Sequence, residues 1–349
     1  MQLFINTLGA YLHVKDEMFE VRFTKDGKEE KHQMAAHKVT SIVLAQSAAL
    51  STDAIHLALK FNIDIVVVEN NGHPVGRFWH SKLGSTTKIR KAQLETSLSP
   101  EAVRWVKEWV IRKVENQAGF VNDLIKHRSS QADYLKNQEE KIKSQAISLA
   151  NLSGEKIQDI ADTLRGLEGT AGRIYFETIS SVMPEQYGFS GRSSRPAKDP
   201  FNAFLNYAYG ILYSRVERVL VLAGIEPYLG FLHRDDYNQL SMVYDFIEPY
   251  RIHAETAVFR LFSAKKVNQL HTDVITNGCS LNTEGKKLLV EQFIDYLDNQ
   301  TIRYNGRNLT RMHGMQLDAH QFANTLIGKE TIPVIKDMSG FKKPDISSE

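Results

Sequence analysis

Carboxylates and an imidazole set into otherwise apolar stretches are the side chains from which chemistry could be built in this sequence. Glu168 lies four residues after Leu164 and beside Leu167, on or near a helix face that should be buried, where a carboxylate needs a partner. Gly166, Gly169 and Gly172 surround it; they lower helix propensity but let another backbone or a ligand approach closely. No strand pattern precedes this segment and no Gly-Lys-Ser/Thr follows, so it is not a phosphate-binding loop. His233 ends the apolar stretch from Tyr228 to Leu232 and is followed by Arg234, Asp235 and Asp236, a place where imidazole can be a ligand or can simply satisfy a nearby carbonyl. Asp245 and Glu248 are three apart, a spacing that on a helix puts both carboxylates on one face to share a cation or a cationic side chain. Arg251, three residues after Glu248, could equally be its partner, and Pro249 between them should bend the helix and free a carbonyl.

The candidate ligands are far apart along the chain, so spacing alone carries no metal signature. Two carboxylates and one histidine would suit Mg2+ or Mn2+, the oxygens favouring the first and the imidazole the second. Basic residues cluster at Arg77, Lys82, Lys88, Arg90 and Lys91, and again at Arg192, Arg195 and Lys198 in a Ser/Gly/Pro-rich stretch. With a net charge of only +2, any grip on nucleic acid must come from such local patches, each of which could also be plain solvated surface. Arg165, Arg173 and Arg251 beside the candidate ligands could steer a phosphate backbone or make helix-surface pairs. The aromatic set Phe201, Phe204, Tyr207, Tyr209 and Tyr213 reads as core, with a tyrosine hydroxyl free to face a site. The single cysteine, Cys279, excludes an internal disulfide framework and a cysteine-based zinc site.

The elements that must position these residues fall into two parts, giving an α+β chain. Residues 1–84 read as a small β-rich domain: apolar runs at Leu3–Ile5, Tyr11–Val14, Phe19–Phe23, Ile42–Leu44 and Ile63–Val68, turn signals at residues 25–27 and 70–72, and one helix capped at Ser51, Thr52 or Asp53. Residues 85–90 are expected to be a hinge, and residues 91–331 a larger all-helical domain. Ser99-Pro100-Glu101 and Ser153 with Glu155 and Lys156 start helical segments, and further helices are expected over Pro200–Leu222 and Ser241–Phe262. Residues 332–349 have no apolar period and are expected to be loosely ordered. No run of about 18 apolar residues occurs and the start lacks a secretory signal, so a soluble cytoplasmic protein is expected.

Four segments in order resemble the CRISPR-associated adaptation integrases, the Cas-one family: Leu164–Gly169 with Ala171–Phe176, Asp199–Leu212, Gly230–His233, and Tyr244–Arg251. The β-rich front, the joining segment Arg90–Gln93 and the helical back also look like that family, so the resemblance covers nearly the whole chain. It implies a homodimer, with dimerisation through the β-rich domain, and a divalent metal, Mg2+ or Mn2+, held by Glu168, His233 and Glu248, with Asp245 a less certain fourth ligand. The last ligand is aspartate in some members, so glutamate here changes its reach. The implied activity is joining the 3'-hydroxyl ends of foreign DNA to the CRISPR repeat together with a small Cas-two partner, and cutting branched or other double-stranded DNA. Arg165, Arg173, Arg192, Arg195, Lys198 and Arg251 are the candidate DNA contacts. The competing readings are a stand-alone DNA-repair nuclease and a non-catalytic DNA-binding scaffold.

Overall fold

Strands of two kinds build the first unit. Those with continuous apolar runs, β5 (Ser41–Ala45) and β7 (Asp64–Val68), are nearly all buried, as expected of strands covered on both faces. They form the centre of a four-stranded sheet in which β1 (Gln2–Ile5) pairs parallel with β5, β5 parallel with β7, and β7 antiparallel with β8 (Pro74–Phe78). The second sheet runs in the order β4 (Lys28–Ala35), β3 (Met18–Lys25), β2 (Tyr11–Lys15) and β6 (Ala49–Leu50). Helix α1 (Thr52–Lys60) begins where Ser51 accepts the Ala54 N–H, and its Ala54 and Ala58 meet Leu12, Phe19, Ile42 and Ile65 in one core. Strand β4 was not expected, because its sequence KEEKHQMA is charged and largely exposed; its pairing with β3 along their length, from Met18 opposite Ala35 to Lys25 opposite Lys28, decides its conformation.

In this computed structural model the described residues are 2–329, less 26, 46, 62, 70–73, 79–85, 194–195, 234–238 and 305. The expected tail at 332–349, the turn at 70–72, and Lys82, Arg195 and Arg234–Asp236 therefore lie outside the described residues. The chain divides into two compact units, Met1–Gly84 and Ser85–Glu349. Residues 86–90, expected as hinge, are the first turns of a helix, α2 (Thr86–Ser97).

The second unit is helical: α3 (Pro100–Ile125), α4 (Ala132–Ala150), α5 (Ile157–Val182), α6 (Pro200–Ala223), α7 (Ser241–Phe246), α8 (Arg251–Ser263), α9 (Thr283–Ile294) and α10 (Arg311–Leu326). Ser99 caps α3 with Pro100 in its first turn, and Asp199 caps α6 by accepting the Asn202 N–H at 2.8 Å. The segment 241–262 is not one helix. Pro249 sits in a 3-10 turn, Glu248–Tyr250, that separates α7 from α8. Two hairpins add to the helices, β9 (Thr272–Ile275) with β10 (Gly278–Leu281) and β11 (Thr301–Tyr304) with β12 (Arg307–Thr310). In the first hairpin Thr276 and Asn277 form the turn, Asn277 at a φ of 63°, and Gly278 pairs with Ile275. No described helix is long and apolar enough to cross a membrane.

An aromatic cluster fixes α3 within this unit. Trp109 packs on Trp105, Phe231, Phe246 and Phe322 with ring centroids 5.3–6.0 Å apart. It thereby joins α3 to α7, α10 and the segment that leads to His233. Removing the 3% exposed Trp109 side chain leaves a cavity at that junction, so Trp109→Ala should lose about 3–5 kcal/mol of stability, read by denaturant unfolding.

Candidate active site

Helix α3 buries a stripe of Trp105, Val106, Trp109, Val110, Val114 and Val121. Polar side chains interrupt that stripe, among them Lys113 and Asn116 about one turn apart. Asn116 donates to the Pro249 carbonyl at 2.8 Å, which ties α3 to the 3-10 turn carrying Glu248. The Lys113 ammonium lies between two carboxylates: it touches Oε1 of Glu168 on α5 and stands 2.6 Å from Oε2 of Glu248. Arg251 closes the other side of Glu248, its Nε and Nη2 each 2.9 Å from Oε1.

The electrostatics follow from this arrangement. Glu248 is only 4% exposed, and burial alone would raise its pKa. The positive charges of Arg251 and Lys113 outweigh burial and bring it down to about 2. Burial likewise disfavours the Lys113 charge, but Glu248 and Glu168 raise its pKa above the ordinary 10.5. Arg251 is therefore engaged with Glu248, and its guanidinium also lies 5.1 Å from the Tyr209 ring and 5.7 Å from that of Tyr213. The Tyr209 hydroxyl turns inward to donate to the buried Glu255 at 2.7 Å, so it is the ring of Tyr209, not its hydroxyl, that faces the site cations.

His233 is held from a different direction. Asp245, 2% exposed, accepts the backbone N–H groups of Phe231 and Leu232 through Oδ2 at 2.5 and 2.9 Å. Its Oδ1 lies 3.2 Å from the His233 backbone N and 2.5 Å from His233 Nδ1. With Nδ1–H donated to this carboxylate, the lone pair of a neutral His233 sits on Nε2, the arrangement that orients metal-binding histidines. Asp245 and Glu248 thus do not share a cation, contrary to the helical spacing, because α7 ends between them. With both Asp245 oxygens committed to residues 231–233, it positions His233; as an expected fourth ligand it would have to give up those bonds.

Three further contacts build the His233 segment. Gln93 on α2 clamps the preceding turn, accepting from Glu226 N at 2.8 Å and donating to the carbonyls of Glu226 and Leu229 at 3.0 and 2.8 Å. Arg165, one turn before Glu168 on α5, donates to the Leu232 carbonyl at 3.3 Å. Gly230 is required sterically, since a Cβ there would stand 2.6 Å from Ser241 Cβ and 3.1 Å from Asp245 Oδ2. By contrast a Cβ on Gly166, Gly169 or Gly172 would meet nothing within 4 Å, so the face of α5 beside Glu168 is open rather than packed on another backbone.

Glu168 and Glu248 are thus brought together on one cation, and His233 is presented by Asp245. Among the described residues no three His, Cys, Asp or Glu side chains are grouped closely enough to hold a metal ion. The donor chemistry nevertheless fits a hard divalent ion, because two carboxylates from separate helices already converge on a single positive charge. Of the expected DNA contacts, Arg173 pairs with Glu177 at 3.2 Å on the exposed face of α5, and Arg192 donates to Asn202 and Asn206 on α6 at 2.9 and 2.6 Å. Lys198 is exposed. Sequence reasoning missed Lys113 and Asn116, whose signal was a pair of polar residues inside the buried stripe of α3.

The family model described as CRISPR associated protein Cas1 matches residues 3–295. A CRISPR-associated endonuclease Cas1 of Archaeoglobus fulgidus is 31% identical over 340 residues, covering 94% of this chain and 97% of that protein. Among solved structures, a casposase bound to integration product superposes with a TM-score of 0.80 at 21% identity, over 99% of this chain and 96% of that one. A Cas6-RT-Cas1–Cas2 complex contains a chain matching with a TM-score of 0.73 at 22% identity, over 93% of this chain and 35% of that one.

A carboxyl held below its ordinary pKa of 4.5 stabilises the fold above that pH and gives this up as pH falls towards about 2. Glu248→Gln should therefore be less stable than wild type at neutral pH, with the gap in melting temperature narrowing through that acid window; a constant gap would refute the assignment. Gly230→Ala should cost about 1–3 kcal/mol by overpacking and should move the His233 ring resonances in NMR.

Proposed function

The chain belongs to the family of CRISPR-associated protein Cas1, and from that membership we propose that it is a divalent-metal-dependent DNA endonuclease and integrase of CRISPR adaptation, acting in the cytoplasm. The observation that carries the reading is the convergence of Glu168 and Glu248, from α5 and the turn after α7, on one cation. In this reading Glu168, Glu248 and His233 Nε2 hold Mg2+ or Mn2+, which when bound would lower the pKa of the attacking hydroxyl and offset charge on the phosphoryl oxygens. Asp245 keeps His233 in the tautomer that exposes Nε2, and Gln93 and Gly230 hold the segment that carries it. In integration the 3'-hydroxyl oxygen of an incoming strand bonds to a repeat phosphorus as the old P–O3' bond breaks and that oxygen takes a proton. In hydrolysis water replaces the hydroxyl.

The DNA would lie along the open glycine face of α5, with Arg165, Arg173, Arg192, Arg195 and Lys198 as phosphate contacts. Arg251 is the weakest of the expected DNA contacts, since its charge is already spent on Glu248. The partners in this reading are a second copy of the chain, joined through the β-rich unit, a Cas2 protein, and double-stranded and branched DNA.

Purified protein should cut or rejoin a labelled branched DNA with Mn2+ or Mg2+ and not with a chelator. Glu168→Ala and His233→Ala should lower the rate by about 100-fold or more while DNA affinity, measured by gel shift, stays within a few-fold. Equal activity in mutants and wild type would sink the assignment; DNA binding without reaction under either metal would replace it with the scaffold reading. Full-site integration that needs added Cas2 would separate the adaptation role from stand-alone strand transfer or DNA repair.

A further inference from the structure

Lys113 has no part in the chemistry proposed above, yet it occupies the electrostatic centre of the site. Its side chain is 14% exposed and makes ion pairs with both Glu168 and Glu248, whose own side chains are 23% and 5% exposed. A cation entering between these carboxylates would need the oxygens that the ammonium now holds, Oε1 of Glu168 and Oε2 of Glu248. Glu248 has little to offer elsewhere, since Arg251 takes its Oε1. Lys113 and a divalent ion therefore compete for the same atoms.

We propose that Lys113 is the built-in occupant of the cation site, a tethered ammonium that balances Glu168 and Glu248 until a divalent ion displaces it. The inference rests on the metal-dependent reading above. Three consequences follow from charge alone. Without metal, the buried carboxylates are not left to repel each other, so the site keeps its shape. Loading a metal costs the breaking of two ion pairs, which weakens its apparent affinity. Once displaced, the ammonium is released from both carboxylates and is no longer masked by them.

The test is Mn2+ titration of the metal-free full chain, followed by the electron paramagnetic resonance signal of free Mn2+, in wild type and in Lys113→Met. Loss of the competing charge should tighten Mn2+ binding by about ten-fold or more. Without metal the variant should melt below wild type, and Mn2+ should raise its melting temperature by more than it raises that of wild type. A second measurement needs no variant: acylation of wild type with an activated acetate ester, read by peptide mass spectrometry, should label Lys113 faster as Mn2+ saturates the protein. Unchanged or weaker Mn2+ binding by folded Lys113→Met overturns this inference and leaves the metal-dependent reading standing. No Mn2+ bound by either protein overturns both. If Lys113→Met does not fold, the acylation decides: labelling that rises with Mn2+ supports the displacement, and labelling that stays flat while Mn2+ binds overturns it.

Discussion

Two carboxylates brought to within reach of one ammonium in a largely buried place set the terms for the helical unit. Such a group is stable only if every charge in it is answered, because removing one partner leaves the others uncompensated at a cost of several kcal/mol, about 3–5 for a buried pair. Lys113 answers Glu168 and Glu248 together, and Arg251 answers Glu248 a second time. Those charges come from α3, α5 and the turn between α7 and α8. The aromatic cluster around Trp109 can be read as the apolar counterpart of this demand: it locks α3 against α7 and the segment carrying His233, so that Lys113 arrives at the right depth.

The behaviour of the neighbouring buried groups agrees with a site organised by charge. Glu255, 3% exposed, accepts the Tyr209 hydroxyl at 2.7 Å. Burial raises its pKa, against the opposing pull of the Tyr209 hydroxyl and the nearby cations. Tyr209 in turn lends its ring to Arg251 and Arg192. An aromatic row that the sequence marks as core thus also forms the wall along which the site cations lie.

Much of this was legible from the sequence and some was not, for identifiable reasons. The apolar runs of β5 and β7 and the caps at Ser51 and Ser99 could be read locally, because each is an unbroken apolar pattern or a cap at a fixed offset, whereas Glu168, His233 and Glu248 stood out singly as polar residues in apolar stretches and were joined into one set only by the family resemblance. Strand β4 could not, since its charged residues take their conformation from β3. The hairpins at 272–281 and 301–310 carried their Asn-Gly signals in plain view, but short polar strands inside a helical stretch have no period to announce them. The separation of Asp245 from Glu248 was hidden by assuming that a helix continues through Pro249. Lys113 was hidden because α3 and α5 are neighbours only in space, and no local pattern names the partner of a buried lysine.

The bond from Asn116 to the Pro249 carbonyl has a mechanical side. Asn116 ties the Glu248 turn to α3, which also carries Lys113, while Glu168 belongs to α5. The separation of the two carboxylates therefore depends in part on the spacing of α3 and α5. A hard ion that demands oxygens at about 2.0–2.1 Å and one content with about 2.3–2.6 Å would ask for different settings of that gap. In the metal-dependent reading, the packing of these two helices would then help to decide which ionic radius suits the two carboxylates.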